Sequence, residues 1–185
     1  MRGGGDRTQY LRVLGVDPGT TVTGWGVVER RGGTFAHIGH GTVTFAVSST
    51  LPAKLARIHA VLLEQCAAWR PDVLALEKSF VGRNVQSAFR LGEVRGVAML
   101  AAAMTGLAVV EYSPAEVKLA VTGSGRAEKP QVQQAIGREL ALSGSLAPDA
   151  ADALAIALCH VYTFRMRALL ADARPRRSVL RVSTP

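Results

Sequence analysis

The chain has 185 residues, of which 48% are hydrophobic, and it carries a net charge of +8 with a pI of about 10.3. This length and apolar content predict one globular domain with a sizeable core. No apolar run reaches the roughly 18 residues of a membrane-spanning helix. The start, "MRGGGDRTQY", lacks the apolar segment of a signal peptide. We therefore expect a cytoplasmic protein that does not bind a membrane.

The positive charge favours a polyanionic partner, because many phosphates attract many cations. It is unevenly distributed, since the segment from Arg165 onward holds six Arg and one Asp, hence +5 of the total +8. We expect residues 1–10 to form a flexible leader, 11–170 the folded domain, and 171–185 a disordered basic tail. Charged tails are often simply solvated, so the tail alone does not indicate nucleic-acid binding.

The first 45 residues predict three antiparallel strands joined by short turns. "RVLGVDPG" is a short apolar run closed by a turn signal. "GWGVVERRGG" alternates and ends in Gly-Gly, which predicts a strand and a tight hairpin. "TFAHIGHGTVTF" alternates again, and we interpret its His37 and His40 as exposed or half-buried strand residues.

Helices alternate with strands in the rest of the chain. Apolar residues recur every three or four positions from Leu51 to Trp69, which predicts a helix that Pro71 ends. The next elements are a strand in "VLALE", a long helix in "NVQSAFRLGEVRGVAMLAAAMTG", a strand in "AVVEYS", helices in "PAEVKLAVTG" and "KPQVQQAIGRELAL", and a last helix from Pro148. This order predicts an α/β fold whose mixed sheet has helices on both faces.

The two cysteines, Cys66 and Cys159, lie in apolar helical patterns. Neither has a second Cys or a His at the spacing of a zinc site. His160 directly follows Cys159 and does not form such a motif with it. We predict two buried free thiols.

Two acids stand at the ends of predicted strands. Asp17 closes "RVLGVD" and Glu77 closes "VLALE". Burying either carboxylate alone would cost several kcal/mol, so each needs a cation or hydrogen-bond donors. Sites in open sheets gather at the carboxyl ends of strands, where both acids are predicted to lie.

Asp149 and Asp152 begin the last helix at a spacing of three, which places them on one face. Favourable interaction with the helix dipole accounts for Asp149 but less well for Asp152, which interrupts an apolar stripe.

Four converging carboxylates would repel one another without cations, and hard oxygen ligands suit Mg²⁺ or Mn²⁺. Two such ions about 3.5–4 Å apart assist phosphoryl displacement. Acids on a basic protein therefore indicate metal-dependent phosphodiester cleavage.

Five segments then carry a resemblance to a known family. They are "LGVDPGTTVTGWGVV", "ALEKSF", "LGEVRGVAM", "EYSPAEVKLAVTGSGRAEKPQV" and "DAADALAIAL". From Leu11 to Arg165 the chain resembles the RuvC Holliday-junction resolvases. The resemblance implies an RNase H-like fold with a five-stranded sheet, a homodimer, and Mg²⁺-dependent paired nicking of four-way DNA junctions in recombination and repair. It also implies branch-migration motor proteins as partners.

The resemblance also assigns site residues. The family's acidic ligands of two Mg²⁺ ions, which Mn²⁺ can replace, fall on Asp17, Glu77, Asp149 and Asp152, with Asp17 touching both ions. Its basic residues near the scissile phosphate fall on Lys118 and Lys129, and Lys118 would stabilise the charge that develops there. Its aromatic that wedges against unstacked bases falls on Phe80, and the basic residue after that aromatic falls on Arg83. Without the resemblance, Lys118 and Lys129 fit equally well as solvated helix charges, and Phe80 fits a core position.

The chain departs from the family pattern, or leaves it open, in three places. Some relatives carry His at the position of Asp149. The residues after Glu77 vary in the family, so "KS" leaves the cleavage sequence preference open. The tail after Arg174 has no clear counterpart.

Two alternatives belong to other classes of protein. Actin-like and sugar-kinase ATPases use an Asp-x-Gly-Thr turn, here "DPGT", but need two related domains and a second phosphate loop. A non-catalytic junction-binding module would not need four acids. Nucleotide binding without junction cleavage would favour the first alternative, and metal-independent binding without nicking the second.

Overall fold

The computed structural model describes residues 10–78, 85–142, 144 and 146–172, and side chains throughout these ranges except for 167–172. Most of the predicted leader and tail lie outside the described residues. The elements in chain order are β1 (Tyr10–Asp17), β2 (Val22–Arg31), β3 (Thr34–Thr44), α1 (Leu51–Trp69), β4 (Val73–Glu77), α2 (Val85–Met104), β5 (Ala108–Tyr112), α3 (Pro114–Thr122), α4 (Lys129–Glu139) and α5 (Pro148–Asp172). This is the predicted order of strands and helices.

The five strands form one mixed sheet in the order β3-β2-β1-β4-β5. The pairs β1–β2 and β2–β3 are antiparallel, and the pairs β1–β4 and β4–β5 are parallel. The first strand of the chain therefore lies in the centre of the sheet, and its carboxyl end is next to that of β4. The predicted mixed five-stranded sheet is confirmed.

Successive residues of each strand face opposite sides of the sheet. On one side, Val13 and Ala75 belong to a core that also contains residues of α3, α4 and α5. On the other side, Leu14 and Leu74 belong to a core shared with α1 and α2. The sheet is covered by helices on both faces, as the sequence predicts.

Glycines allow α5 to lie directly on the central strands. A Cβ at Gly15 of β1 would overlap the carbonyl oxygen of Ala153, and one at Gly24 of β2 would overlap the carbonyl oxygen of Asp149. Only a residue without a side chain permits so close an approach of two backbones. The start of α5 is thereby fixed against the end of β1.

The start of α3 is fixed by a capping box. The Ser113 hydroxyl accepts a hydrogen bond from the Glu116 backbone N–H at 3.3 Å, and Glu116 Oε2 accepts one from the Ser113 N–H at 2.7 Å. The two bonds satisfy donors that a helix start otherwise leaves free. The register that follows buries Val117 and leaves Lys118 half-buried.

Part of the positive charge has a structural partner far from the strand ends that carry the acids. Glu29 is fully buried and accepts hydrogen bonds from Tyr10, Arg12 and Arg31. Burial opposes ionisation of Glu29, but these donors outweigh it and hold the pKa of Glu29 below its usual value. This network ties the start of β1 to the end of β2.

Two smaller expectations also have outcomes. Cys66 and Cys159 are buried free thiols, as predicted. None of the helices within the described ranges is long and apolar enough to cross a bilayer.

Candidate active site

Asp17 and Glu77 lie side by side at one edge of the sheet. Each is the last residue of its strand, and the preceding residues, Val16 and Leu76, pair in the parallel register of β1 and β4. Both carboxylates are half-buried. The turn that follows Asp17 is held by Thr23, whose hydroxyl donates to the Gly19 carbonyl at 2.8 Å.

The start of α5 brings Asp149 and Asp152 to the same edge. Gly24, against which the Asp149 backbone packs, is the residue that pairs with Asp17 across β1 and β2. Asp152 follows one turn later and is 28% exposed. Three alanines between and beside these acids, Ala150, Ala151 and Ala153, are buried. The structure thus gathers all four predicted acids where two strands and one helix meet.

The four carboxylates are close enough to perturb one another. Burial, followed by repulsion from Glu77, Asp152 and Asp149, raises the pKa of Asp17 from 3.8 to about 7, against a smaller opposing effect of Lys129. Burial and the charge of Asp152 also raise the pKa of Glu77. The cluster therefore carries more negative charge than its surroundings compensate, which favours a cation at this edge.

Two lysines border the same cluster. Nζ of Lys129 donates a hydrogen bond to Oδ2 of Asp152 at 2.7 Å, and this bond raises the pKa of the lysine. Lys118 reaches the cluster from α3. Together with Glu77 and Asp152, both lysines line a cleft of about 220 Å³. The cleft thus contains both carboxylates and ammonium groups, a combination that suits a phosphate bridged to cations.

The residues fit hard divalent cations in type and in electrostatics. Carboxylate oxygens are the ligands that Mg²⁺ and Mn²⁺ take, and these carboxylates repel one another. Within the described part of the chain, however, no three His, Cys, Asp or Glu side chains are already arranged as a metal site. Lys129 already donates a hydrogen bond to Oδ2 of Asp152, so an ion that takes this oxygen competes with the lysine.

Arg95 of α2 is a site residue that sequence reasoning missed. Its guanidinium donates to the Glu77 carbonyl and to the Glu111 carboxylate, and its side chain is 14% exposed. It thus clamps the ends of β4 and β5 from the face opposite α5. The only sequence signal is a cation within "LGEVRGVAM", which gives no indication of its partners.

A second missed group borders the turn after β1. Thr20, Thr21, Lys54 and Arg90 line a cleft of about 320 Å³. Hydroxyls and cations of this kind suit contacts to a nucleic-acid backbone. The residues come from three separate segments, so only the fold reveals the group.

A larger open groove of about 890 Å³ lies between α3 and α4, and Arg126, Gln131 and Arg138 are among its lining residues. It contains none of the four acids, so it is not the candidate site. Two predicted DNA-binding residues, Phe80 and Arg83, lie outside the described residues, and their roles stay predictions.

A mixed five-stranded sheet with acids at the ends of its central strands defines a protein of the RNase H-like class. The family model "Crossover junction endodeoxyribonuclease RuvC" matches residues 13–160. The chain belongs to this family. Membership of this family favours the interpretation of the "DPGT" turn as part of a nuclease and not of an actin-like ATPase.

Individual relatives agree with the family match. The chain is 42% identical over 173 residues to the crossover junction endodeoxyribonuclease RuvC of Rubrobacter xylanophilus, covering 93% of this chain and 96% of the relative. It is 43% identical over 162 residues to that of Geobacter sp. strain M21, covering 88% and 99%. Among solved structures, T. thermophilus RuvC in complex with Holliday junction substrate is 34% identical, with a TM-score of 0.81 over 85% of this chain and 96% of that one.

Proposed function

We propose that this chain is a Mg²⁺-dependent endodeoxyribonuclease that resolves four-way DNA junctions by paired symmetric nicks. The observation that carries the proposal is the meeting of Asp17, Glu77, Asp149 and Asp152 at one edge, beside a cleft that Lys118 and Lys129 line. Membership of the RuvC family and the likeness to a RuvC bound to a Holliday junction support the same substrate.

The acids would hold two Mg²⁺ ions, which Mn²⁺ can replace. Asp17, on the central strand, lies between Glu77 and the acids of α5 and would contact both ions, while Glu77 and Asp152 would each serve one and Asp149 would assist. When bound, the ions would supply charge stabilisation on the attacking and leaving oxygens. The pKa of about 7 at Asp17 describes the protein without ions.

The lysines would act on the phosphate. Lys118 is half-buried and lines the cleft, where it would stabilise negative charge that develops on the phosphoryl oxygens. Lys129 would exchange its bond to Asp152 for one to the phosphate. A water oxygen would bond to phosphorus as the bond to the 3′ oxygen breaks. The water would lose a proton to solvent and the 3′ oxygen would gain one, which leaves a 5′ phosphate and a 3′ hydroxyl that ligase can seal.

The proposed homodimer has a candidate surface on α2. Four large apolar side chains are more than half exposed there: Val85, Phe89, Leu100 and Met104. At 100° per residue they share one helical face. A Cβ at Gly92 or Gly96 of the same helix would meet no atom within 4 Å, so another backbone could approach closely. Two copies joined here would present two sites to one symmetric junction.

The decisive experiment is incubation of the protein with a labelled mobile four-way junction and Mg²⁺. We expect paired nicks at symmetric positions, closed again by ligase, and no cutting of a linear duplex. The Asp17→Asn variant serves as the metal-site control. Equal cutting of duplex and junction, or cutting that survives chelation of divalent ions, would contradict the proposal.

The dimer is tested by analytical sedimentation of Phe89→Arg beside the native chain. The substitution should dissociate the dimer.

The remaining family expectations are also proposals. Phe80 would stack on a base at the open centre of the junction and Arg83 would contact a phosphate. Branch-migration motor proteins would deliver the substrate. A pull-down of the motor with the native chain, with and without junction DNA, would test the last point.

A further inference from the structure

A β-bulge brings His37 and His40 of β3 together. Residues three apart in a regular strand face opposite sides of the sheet. Here the register shifts, because Val27 pairs with Gly39 while Val28 pairs with His37. The extra residue turns His40 to the same side as His37. Nε2 of His37 lies 2.8 Å from Nδ1 of His40, with ring centroids 4.9 Å apart.

The pair is accessible and preorganised. β3 is an edge strand, His40 is exposed and His37 is half-buried. Burial and the nearby His40 lower the pKa of His37, which favours the neutral imidazole that a metal ion binds. When both rings are neutral, one facing nitrogen carries a proton and the other a lone pair. Once this proton moves to the other nitrogen of its own ring, both facing nitrogens have lone pairs and a cation finds two neutral ligands already in contact.

We propose that His37 and His40 form a two-nitrogen site for a borderline transition-metal ion of the Cu²⁺, Ni²⁺ or Zn²⁺ type. Imidazole nitrogen is a preferred ligand of these ions. Bonds of about 2.0–2.1 Å at a tetrahedral angle require the two nitrogens to be about 3.3 Å apart. The present 2.8 Å therefore needs only a small rotation, which the exposed His40 side chain can make. Water would complete the coordination.

This site would be separate from the carboxylate cluster. Asp17 pairs with Gly24 and Gly24 with Thr42, so His40 lies two strands across and two residues along from Asp17. With strands about 4.8 Å apart and about 3.3 Å per residue, the backbone separation is about 12 Å. The two groups are too far apart to share one ion. They also differ in chemistry, since Mg²⁺ prefers oxygen and has little affinity for imidazole.

The test is titration of the full-length, metal-free protein with Cu²⁺. Calorimetry measures the affinity, and electron paramagnetic resonance identifies the coordinated nitrogens. We expect a signal with two coordinated nitrogens, and Cu²⁺ binding at least tenfold weaker in both His37→Gln and His40→Gln. The matched control is His59→Gln, which changes a histidine of α1 and should leave binding unchanged. Asp17→Asn and excess Mg²⁺ should also leave it unchanged. Thermal unfolding of each variant checks that it is folded.

Three results would overturn the proposal. Binding that survives in both His37→Gln and His40→Gln would place the ion elsewhere. Binding that is lost in Asp17→Asn or displaced by Mg²⁺ would assign it to the carboxylates. The absence of a two-nitrogen signal at saturating Cu²⁺ would leave the pair as two rings that share a proton.

Discussion

Lys129 and Asp152 are joined by a hydrogen bond of 2.7 Å between Nζ and Oδ2, although they are 23 positions apart in the sequence. The lysine side chain is 55% exposed and the aspartate 28%. An ammonium group therefore stands among the acids that are proposed to hold cations. A divalent ion that binds Asp152 must compete with it.

Replacing Lys129 should therefore tighten metal binding. Exposed ion pairs contribute about 0.2–1 kcal/mol, so we expect Lys129→Met to lower the Kd for Mn²⁺ by up to about fivefold, measured by calorimetry. Lys118→Met removes the same charge from the same cleft without breaking the bond to Asp152, and its effect should be smaller. Weaker Mn²⁺ binding in Lys129→Met would show that the lysine organises the acids rather than competing for them.

The acids should be needed for cleavage but not for junction binding. Asp17→Asn, Glu77→Gln and Asp152→Asn each remove a proposed metal ligand and should abolish nicking, while electrophoretic mobility shifts show undiminished junction affinity. Asp149→Asn should have an equal or milder effect, because the charge of Asp149 raises the pKa of Asp17 less than those of Glu77 and Asp152 do. Glu64→Gln, on the exposed face of α1, is the matched control and should cut normally. A ligand variant that cuts at the native rate would remove its residue from the site.

Asp17 should make the stability of the metal-free protein depend on pH. Its pKa is about 7 in the folded chain and 3.8 as the ordinary value, so between pH 4 and 7 the folded state holds a proton that the unfolded state has lost. The contribution of Asp17 to the free energy of unfolding is therefore at its full value below about pH 4, and it is lost as the pH rises through 7. Asp17→Asn lacks this titration, and we expect it to raise the free energy of unfolding at pH 8 by about 1–3 kcal/mol.

Urea unfolding in a chelator at pH 5 and pH 8 measures this difference. The native chain should lose more stability between the two pH values than Asp17→Asn does. Added Mg²⁺ at pH 8 should bring the stability of the native chain closer to that of Asp17→Asn. Parallel pH curves for the two proteins would show that the carboxylate is not under the inferred repulsion.

Arg95 should support activity through the position of Glu77. Its guanidinium bonds the Glu77 carbonyl and the Glu111 carboxylate, and Lys cannot make both contacts in the same fork geometry. We expect Arg95→Lys to lower the rate of nicking at saturating Mg²⁺ by about tenfold or more, and to weaken Mn²⁺ binding. Arg90→Lys, one turn and a half earlier on α2, is the charge-matched control and should retain metal affinity. Equal metal affinity in native chain and Arg95→Lys would limit Arg95 to a role in folding.

The elements were predictable because each has a local signal. The spacing of apolar residues between Leu51 and Trp69 indicates a helix, and the acids that close two apolar runs indicate the edge where the site lies. The contacts between distant segments were not predictable. The resemblance assigns Lys129 to a phosphate, and only the packing of α4 on α5 shows its bond to Asp152. In the same way, the bulge that brings His37 to His40 is not predicted by any pattern in the sequence.

Gly15 should be required for the geometry of the site. A Cβ there would overlap the Ala153 carbonyl oxygen and lie 2.8 Å from the backbone nitrogen of Ala157. Both contacts are backbone atoms of α5 and cannot rotate away, so the helix must move off the sheet. Overpacking of this kind costs about 1–3 kcal/mol, and we expect Gly15→Ala to lower the free energy of unfolding by that amount in urea titrations.

The same shift would carry Asp152 away from Asp17, so nicking in Gly15→Ala should fall even where the protein is fully folded. Gly137→Ala is the control, because a Cβ at Gly137 of α4 would meet no atom within 4 Å. Ala is the better helix former, and this variant should gain about 0.5–1 kcal/mol while cutting normally. Normal cleavage by folded Gly15→Ala would mean that the acids tolerate a displaced α5, and the close approach of α5 to β1 would then serve stability alone.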